Sequence, residues 1–411
     1  MRLQLKAVRE MFRRGAKNYC SINLLEGLEY EKPIFKKDTE KNAFVYFKNK
    51  YLSISKAGIT EHSYNELESF IWKKQVIEFD YQNIDYAQCD FNRFILLAVL
   101  GEKKAIDKYT EDDARKVSSI ATTIGYLLHR YKNPAITKAV IAVDKQLRTN
   151  GENNGRTGKS LFSKALGKML NMCLIDGKNF KFDSPFPFQK ANIDTELINF
   201  NDVLKNFDFE RLYGMITEEF TFEKKGKDSI TLSFEDSPKF YISTNTSLKG
   251  GGDSNKGRQQ IIEFSNYFNG EHTPVKEFGR MFFYDWDKEQ YAMFYAYMID
   301  CIRFYLENGL IEFPLENYEV NKLIDTAGEE FIEYMNDTVL GQMDFNNQFE
   351  PKKLMEAFIS ENKGKERLHQ KTFNKWVRTW AELNELEINK HNNYNRYKSN
   401  GIEYMTFTHK N

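Results

Sequence analysis

Apolar residues recur at three-to-four-residue spacing in ARKVSSIATTIGYLLHRYK (114–132). Val117, Ile120, Ile124, Leu127 and Tyr131 there fall on one side of a helix, and Asn133-Pro134 punctuates its end. Upstream, AFVYFKNKYLSIS (43–55) alternates in the manner of a β-hairpin turning near Asn49. Downstream the pattern changes. AITKAVIAVDKQ (135–146) is a β-branched apolar run of the kind buried in a parallel sheet, followed by a glycine-rich loop and the helical LFSKALGKMLNM (161–172). Further strand patterns occur in TELINFNDV (195–203), PKFYISTN (238–245) and QQIIEF (259–264). Aromatic-rich helical sequence fills 288–308 and stops at Asn308-Gly309. The tail predicts helices over 351–361 and 370–384, then strands ELEINK and GIEYMTFTHK joined by the polar loop HNNYNRYKSN. No internal repeat or low-complexity segment is present.

The chain has 411 residues, which suits two or three domains, and 41% hydrophobic residues place it far from the disordered class. Lys+Arg and Asp+Glu are both 59, so contact with nucleic acid has to come from local clusters rather than from a global field. Cys20, Cys89, Cys173 and Cys301 lie far apart with no CxxC pair, which argues against zinc or a disulfide framework. No apolar run is long enough to cross a membrane, and the start MRLQLKAVREMFRRG has no signal-like core. A reduced, soluble protein of the cytoplasm, without membrane partners, is expected.

The candidate chemistry begins with Gly158-Lys159-Ser160, the centre of a phosphate-binding loop. Such a loop aims backbone N–H groups and a helix N-terminus at phosphate oxygens, lets its lysine bridge the outer phosphates, and places a hydroxyl on Mg²⁺. ATP and Mg²⁺ are therefore the expected cofactors. The cradle runs through Asn153, Asn154, Gly155, Arg156, Thr157, Gly158, Lys159, Ser160 and Leu161, with Asn153 where such a motif usually opens on glycine. A glycine-rich turn capping a helix is the plainer alternative. A nucleotide motor also needs an acid at the end of a neighbouring strand. INFND supplies Asn201 and Asp202, and Asp202 is the candidate base or, with Ser160, a Mg²⁺ partner. Asn245 ends the strand YISTN, where an amide can orient a phosphate or the attacking water; a simple turn residue is its bland reading. Arg258 closes the loop SLKGGGDSNKGR, in position to reach the nucleotide of a neighbouring subunit.

This ordered series resembles superfamily 3 helicases, in particular poxvirus- and satellite-phage-type primase–helicases and their relatives on bacterial phages and mobile elements. The matching elements are NNGRTGKS, INFND, YISTN, an arginine before IIEF, and the lysine-bearing hairpin EEFTFEKKGKDSITLSF, all between about 139 and 264. The resemblance implies an α/β fold with an AAA+-like motor core, a ring that is typically a hexamer, and 3′→5′ unwinding. More weakly, 40–135 resembles the domain preceding the motor in these proteins and 350–411 their winged-helix tail; the chain is expected to divide into an N-terminal mixed α+β domain (1–110), a collar helix (111–134), the motor (135–310), a helical linker (311–349) and a C-terminal winged helix (350–411). Asn201 departs from the family, which usually carries acid there, and this implies slower hydrolysis. No primase constellation is found, so a primase would be a separate partner.

For DNA, Lys224, Lys225 and Lys227 are expected at the hairpin tip, where each subunit of a ring would hold phosphates of a single strand. Lys371, Lys375 and Arg378 recur along one predicted tail helix, and Arg396 and Lys398 fall in the proposed wing. Solvated turns and faces are the alternative for all of these. Two functions remain open: a helicase acting on single-stranded or forked DNA during replication of such an element in a bacterial host, or an ATP-gated initiator or loader that binds DNA without processive unwinding. A small-molecule kinase is disfavoured, because it leaves the lysine hairpin unexplained.

Overall fold

A computed structural model describes residues 2–21, 33–146, 155–248, 253–342, 348–389, 397–399 and 401–409. Residues 1–36 with 65–71 form one unit, and residues 37–64 with 72–411 form the other. The first contains helix α1 (Arg2–Tyr19) and a parallel bridge between Phe35 and Phe70, whose ring centroids are 6.3 Å apart.

In the second unit, β1 (Ala43–Phe47) and β2 (Tyr51–Ser55) form the predicted hairpin. Asn49 does more than turn the chain: its Oδ1 accepts the Tyr81 N–H at 2.9 Å and its Nδ2 donates to the Tyr81 carbonyl at 3.3 Å. Two strands absent from the sequence pattern complete this sheet, β3 (Gly58–His62) beside β2 and the short β4 (Val76–Ile77), parallel to β1. Helix α2 (Asp90–Leu100) follows, buried over most of its surface. Helix α3 (Glu111–Leu128) starts earlier than its apolar stripe, because Thr110 and Asp113 form a capping box and Glu111 to Asp113 favour the positive end of the helix. It also stops short of Lys132. The carbonyls of Tyr126 and His129 accept hydrogen bonds from Lys239 Nζ, whose pKa burial pushes down to about 7.

Beyond α3 the chain builds a second sheet from β5 (Ala139–Asp144), β6 (Met172–Asp176) and β7 (Leu197–Val203), with helix α4 (Lys159–Leu166) crossing between β5 and β6. Helix α5 (Tyr213–Thr217) leads to the hairpin β8 (Phe220–Phe222) and β9 (Ile230–Leu232). The sheet then gains β10 (Lys239–Thr244) and, after the short helix α6 (Asp253–Gly257), β11 (Gln259–Phe264). Its order is β11-β5-β10-β7-β6, with every pairing parallel. All residues of β5 and β10 are buried, as expected when both faces of a parallel sheet are covered.

One face carries a core shared by α2, α3, α4 and, after the short α7 (Pro274–Phe278), the long helix α8 (Lys288–Asn308). Helices α3 and α8 touch backbone to backbone at Gly125, where an added Cβ would lie 2.1 Å from the Cys301 carbonyl oxygen. The same core includes residues of β1 and β2, so residues 37–64 and 72–110 share a unit and a core with the second sheet.

The C-terminal module has its own core. The segment expected as a helical linker forms helices α9 (Tyr318–Ala327) and α10 (Glu329–Thr338), and Leu323, Phe331 and Met335 belong to this core together with Phe358, Phe373 and Trp380 from α11 (Pro351–Glu361) and α12 (Gln370–Leu383). The final strand expected over 401–410 is broken in two. Within the C-terminal module β12 (Leu386–Ile388) pairs with β15 (Phe407–His409), while β13 (Tyr397–Ser399) and β14 (Ile402–Tyr404) form their own ribbon. The break falls where Met405 bridges Phe349 and the Thr406 N–H bonds Asn389 Oδ1 instead of continuing the ribbon.

Candidate functional site

The chain leaves β5 over β10 and β7 toward β6, and leaves β10 in the opposite direction, over β5 toward β11. The carboxyl ends of β5 and β10 therefore flank a topological switch point, the place where parallel sheets bind ligands. The glycine-rich loop sits there. Asn153 and Asn154 lie outside the described residues. Gly155, Arg156, Thr157, Gly158, Lys159, Ser160 and Leu161 lead into α4 and through its first turn. Gly158 has φ 105°, and the Phe94 ring stands 2.6 Å from where its Cβ would be, so both backbone and space require glycine. Thr157 and Lys159 are buried, while Ser160 is exposed at the helix start, with room for a hydroxyl to meet a ligand. The Gly158 carbonyl accepts the Leu161 and Phe162 N–H groups at 2.9 and 3.0 Å, and the positive end of α4 can face an anion. Arg156, also at positive φ, is exposed and points toward Gly270. The donors of this loop fit the phosphates of a nucleotide.

The last residue of the β5 strand joins the site. Asp144 Oδ1 accepts hydrogen bonds from Thr157 Oγ1 at 2.6 Å and from the Lys159 ammonium. The Tyr241 hydroxyl donates to the Lys159 carbonyl at 3.2 Å, fixing the loop's exit to β10.

On β7 the expected acid is presented by a bulge. Phe200 pairs with Ile242 and Val203 with Thr244, so Asn201 and Asp202 together oppose Ser243. Asp202 takes φ 59°, a conformation that costs a non-glycine residue about 1 kcal/mol and recurs where a bulge re-aims a side chain near a site. Its N–H donates to Ser243 Oγ at 2.9 Å, and that hydroxyl lies 3.4 Å from Asn201 Oδ1. The Asp202 carboxylate pairs with Lys178 Nζ at 2.6 Å; that hydrogen bond raises the lysine's pKa. Asn245 follows β10 at the same edge, and its Nδ2 lies 3.8 Å from where a Cβ on Gly155 would be. The glycine-rich loop, Asp202 with Asn201 beside it, and Asn245 thus share one edge of the sheet.

A set of residues that sequence reading missed holds the strands' exits. Asn317 Nδ2 donates to the Lys145 carbonyl at 2.9 Å, and Asn321 Nδ2 to the Gln146 carbonyl at 3.0 Å. Asp325 Oδ2 accepts the Ser247 N–H at 2.9 Å, and its carbonyl accepts from Lys205. These positions recur four apart, from the N-cap Asn317 along one face of α9, so this helix and its cap grip the exits of β5, β7 and β10 while Leu323 enters the C-terminal core. The four-residue spacing was visible in the sequence, but nothing there told its partners. Asp144 was visible as the acid closing VIAVD.

Arg258 sits at the other edge. It immediately precedes β11, whose first residue pairs with Ala139, the first of β5, while the last, Phe264, pairs with Asp144. A six-residue strand, roughly 17 Å at about 3.3 Å per residue, separates it from the phosphate loop of its own chain. Its guanidinium stacks over Tyr213 at 4.7 Å. The expected lysine-bearing hairpin forms between β8 and β9, with Phe220 opposite Leu232 and Phe222 opposite Ile230. Its base is anchored by Phe220 against Phe188, centroids 5.2 Å apart. At its tip Lys225 and Lys227 are exposed, whereas Lys224 is partly buried and donates to Asn192 Oδ1. Lys371, Lys375 and Arg378 are exposed along α12, opposite the buried Phe373, Val377 and Trp380. Arg396 lies outside the described residues; Lys398 is in β13.

Among the described residues no cluster of three or more His, Cys, Asp or Glu could hold a metal. No helix of the described residues is long and apolar enough to cross a membrane. The family of unknown function DUF5906 matches residues 152–259, from the phosphate loop to the start of β11. No curated protein matches the chain. Among solved structures, the apo NrS-1 C-terminal region is 14% identical, with 92% of this chain and 100% of that one covered and a TM-score of 0.38. A second apo structure of that region is 13% identical over 89% and 96%, with a TM-score of 0.37. A ligand-bound JCV helicase is 11% identical over 53% of each chain, with a TM-score of 0.30.

Proposed function

We propose that this chain is an ATP-hydrolysing motor that assembles as a ring and translocates on single-stranded DNA, of the superfamily 3 helicase type. The observation that carries the reading is the division of the site between two edges of one sheet. Lys159, Ser160, Asp202 and Asn245 gather at the carboxyl edge, and Arg258 stands at the amino edge, out of reach of them. An arginine so placed serves a nucleotide only across a subunit boundary, which a ring provides at every interface.

In this reading Gly155 to Leu161 hold the phosphates, Lys159 neutralises the outer ones, and Ser160 and Asp202 hold Mg²⁺, which when bound would draw charge from the phosphates. Asp202, aimed by its bulge, orients the attacking water, with Asn201 beside it as an amide in place of a second acid. Asn245 positions the terminal phosphate or the water, and Arg258 of the adjacent subunit offsets charge developing there. Lys224, Lys225 and Lys227 grip the strand in the channel. The helix α11, helix α12, strand, ribbon, strand order of the tail supports a winged helix, with Lys371, Lys375, Arg378, Arg396 and Lys398 toward DNA. Hexameric assembly, 3′→5′ direction, replication of a phage or mobile element in the bacterial cytoplasm, and a separate primase are what the motif resemblance adds. The second reading, an initiator or loader that switches on ATP without processive unwinding, is favoured by one feature, the amide at Asn201.

The interfacial role of Arg258 has a direct test. Arg258→Ala and Lys159→Ala subunits are each expected to be inactive alone and to regain a fraction of ATPase activity when mixed, because some interfaces then combine an intact loop with an intact arginine. Steady-state phosphate release across mixing ratios reads this. No recovery at any ratio, with assembly intact by light scattering, would contradict a shared site.

A further inference from the structure

The phosphate-binding lysine is not waiting free in this protein. Lys159 and Asp144 are both buried, and the Asp144 carboxylate receives the Lys159 ammonium and the Thr157 hydroxyl on the same oxygen, Oδ1. Lys159 is 7% exposed, Asp144 8% and Thr157 2%, so the three form a buried cluster. A buried ammonium needs a counter-charge, and the loop supplies one internally. An incoming nucleotide brings several negative charges to the same ammonium, and the fixed carboxylate both competes for it and repels them in a poorly screened setting.

We propose that Asp144 is a positioning residue that acts as the internal counter-anion of Lys159, taking in the empty site the electrostatic part that the outer phosphates of a nucleoside di- or triphosphate take in the filled one. This rests on the nucleotide reading above. Its consequence is a site tuned for release. The carboxylate stabilises the empty loop, and that stabilisation is subtracted from the affinity for nucleotide. Thr157 keeps Asp144 bonded when the lysine turns away, so the empty arrangement is ready to re-form as product leaves. A purely structural Asp144, needed to shape the loop, would give the opposite sign: removing its charge would loosen the cradle and weaken binding.

The test uses the full chain with ADP and ATP as probes, by titration calorimetry, beside thermal unfolding without nucleotide. Asp144→Asn, which keeps the shape and removes the charge, is expected to lower the melting temperature of the empty protein. It is also expected to bind both nucleotides about tenfold more tightly, the change appearing mainly as slower ADP release. Asp144→Glu, which keeps the charge, is expected to bind within about twofold of the unmodified protein. Should Asp144→Asn unfold when empty, recovery of folded protein by added ADP is the predicted behaviour, since a ligand that binds only the native state restores it by mass action. Unchanged or weaker binding by Asp144→Asn overturns the proposal while leaving the nucleotide site in place, as does unfolding that ADP cannot reverse. If the unmodified protein binds neither nucleotide, the nucleotide reading fails and this proposal falls with it.

Discussion

Lys159→Ala is expected to bring ATP hydrolysis down to background and, at the same time, to cost the empty protein about 3 kcal/mol of stability. The first effect follows from loss of the ammonium that neutralises the outer phosphates while the loop backbone stays. The second follows from Asp144, which is buried and would be left without its ion-pair partner; breaking such a pair from one side costs about 3–5 kcal/mol. The two are separated by the double variant Lys159→Ala/Asp144→Asn. With both charges gone it is expected to recover most of the stability and none of the activity. Denaturant unfolding and phosphate release, measured on both variants, check this. Hydrolysis at the unmodified rate by a folded Lys159→Ala protein would remove the assignment of the phosphate loop.

Local chemistry was legible in the sequence wherever the element's own residues determine it. The hairpin around Asn49, the long helix stopped by Gly309, and the lysine-bearing hairpin of β8 and β9 all follow from spacing and turn residues. The polar ends of β5 at Asp144 and β10 at Thr244, and Asp202 one residue before the end of β7, were legible too as breaks in apolar runs. What could not be read is what depends on distant partners. Strand β3 is mostly exposed and carries little apolar signal, so its pairing with β2 is visible only in three dimensions. Helix α3 ends early because Lys239, more than a hundred residues away, takes its last carbonyls. The bulge that turns Asp202 out of the strand leaves no trace in INFND, since it is fixed by Ser243 on the neighbouring strand. The grip of Asn317, Asn321 and Asp325 on the strand exits was hidden for the same reason. A segment that looks like a linker along the chain is, in space, the joint between the site and the C-terminal core.

Replacing Lys224, Lys225 and Lys227 together by alanine should separate DNA handling from nucleotide chemistry. The hairpin is held by Phe220 and Phe222, which are buried and untouched, so its fold should persist. Lys225 and Lys227 are exposed and account for most of the expected effect, whereas Lys224 already donates to Asn192 and contributes less. The log–log salt dependence of single-strand binding should flatten by on the order of one unit for each phosphate no longer neutralised, and affinity should fall most at low salt. DNA-independent ATPase activity and assembly should survive, a contrast that a folding defect would not produce. Unchanged affinity and salt slope would make the hairpin a solvated turn and move the DNA track to the exposed basic face of α12.

Strand displacement from a forked duplex tests most directly whether nucleotide hydrolysis at the proposed site drives the separation of DNA strands. With the unmodified protein, displacement should require hydrolysable ATP and Mg²⁺, should stop with a non-hydrolysable analogue, and should be absent in Lys159→Ala. A protein that hydrolyses ATP and binds the fork yet releases no strand under any of these conditions would contradict the motor and leave the ATP-gated loader in its place.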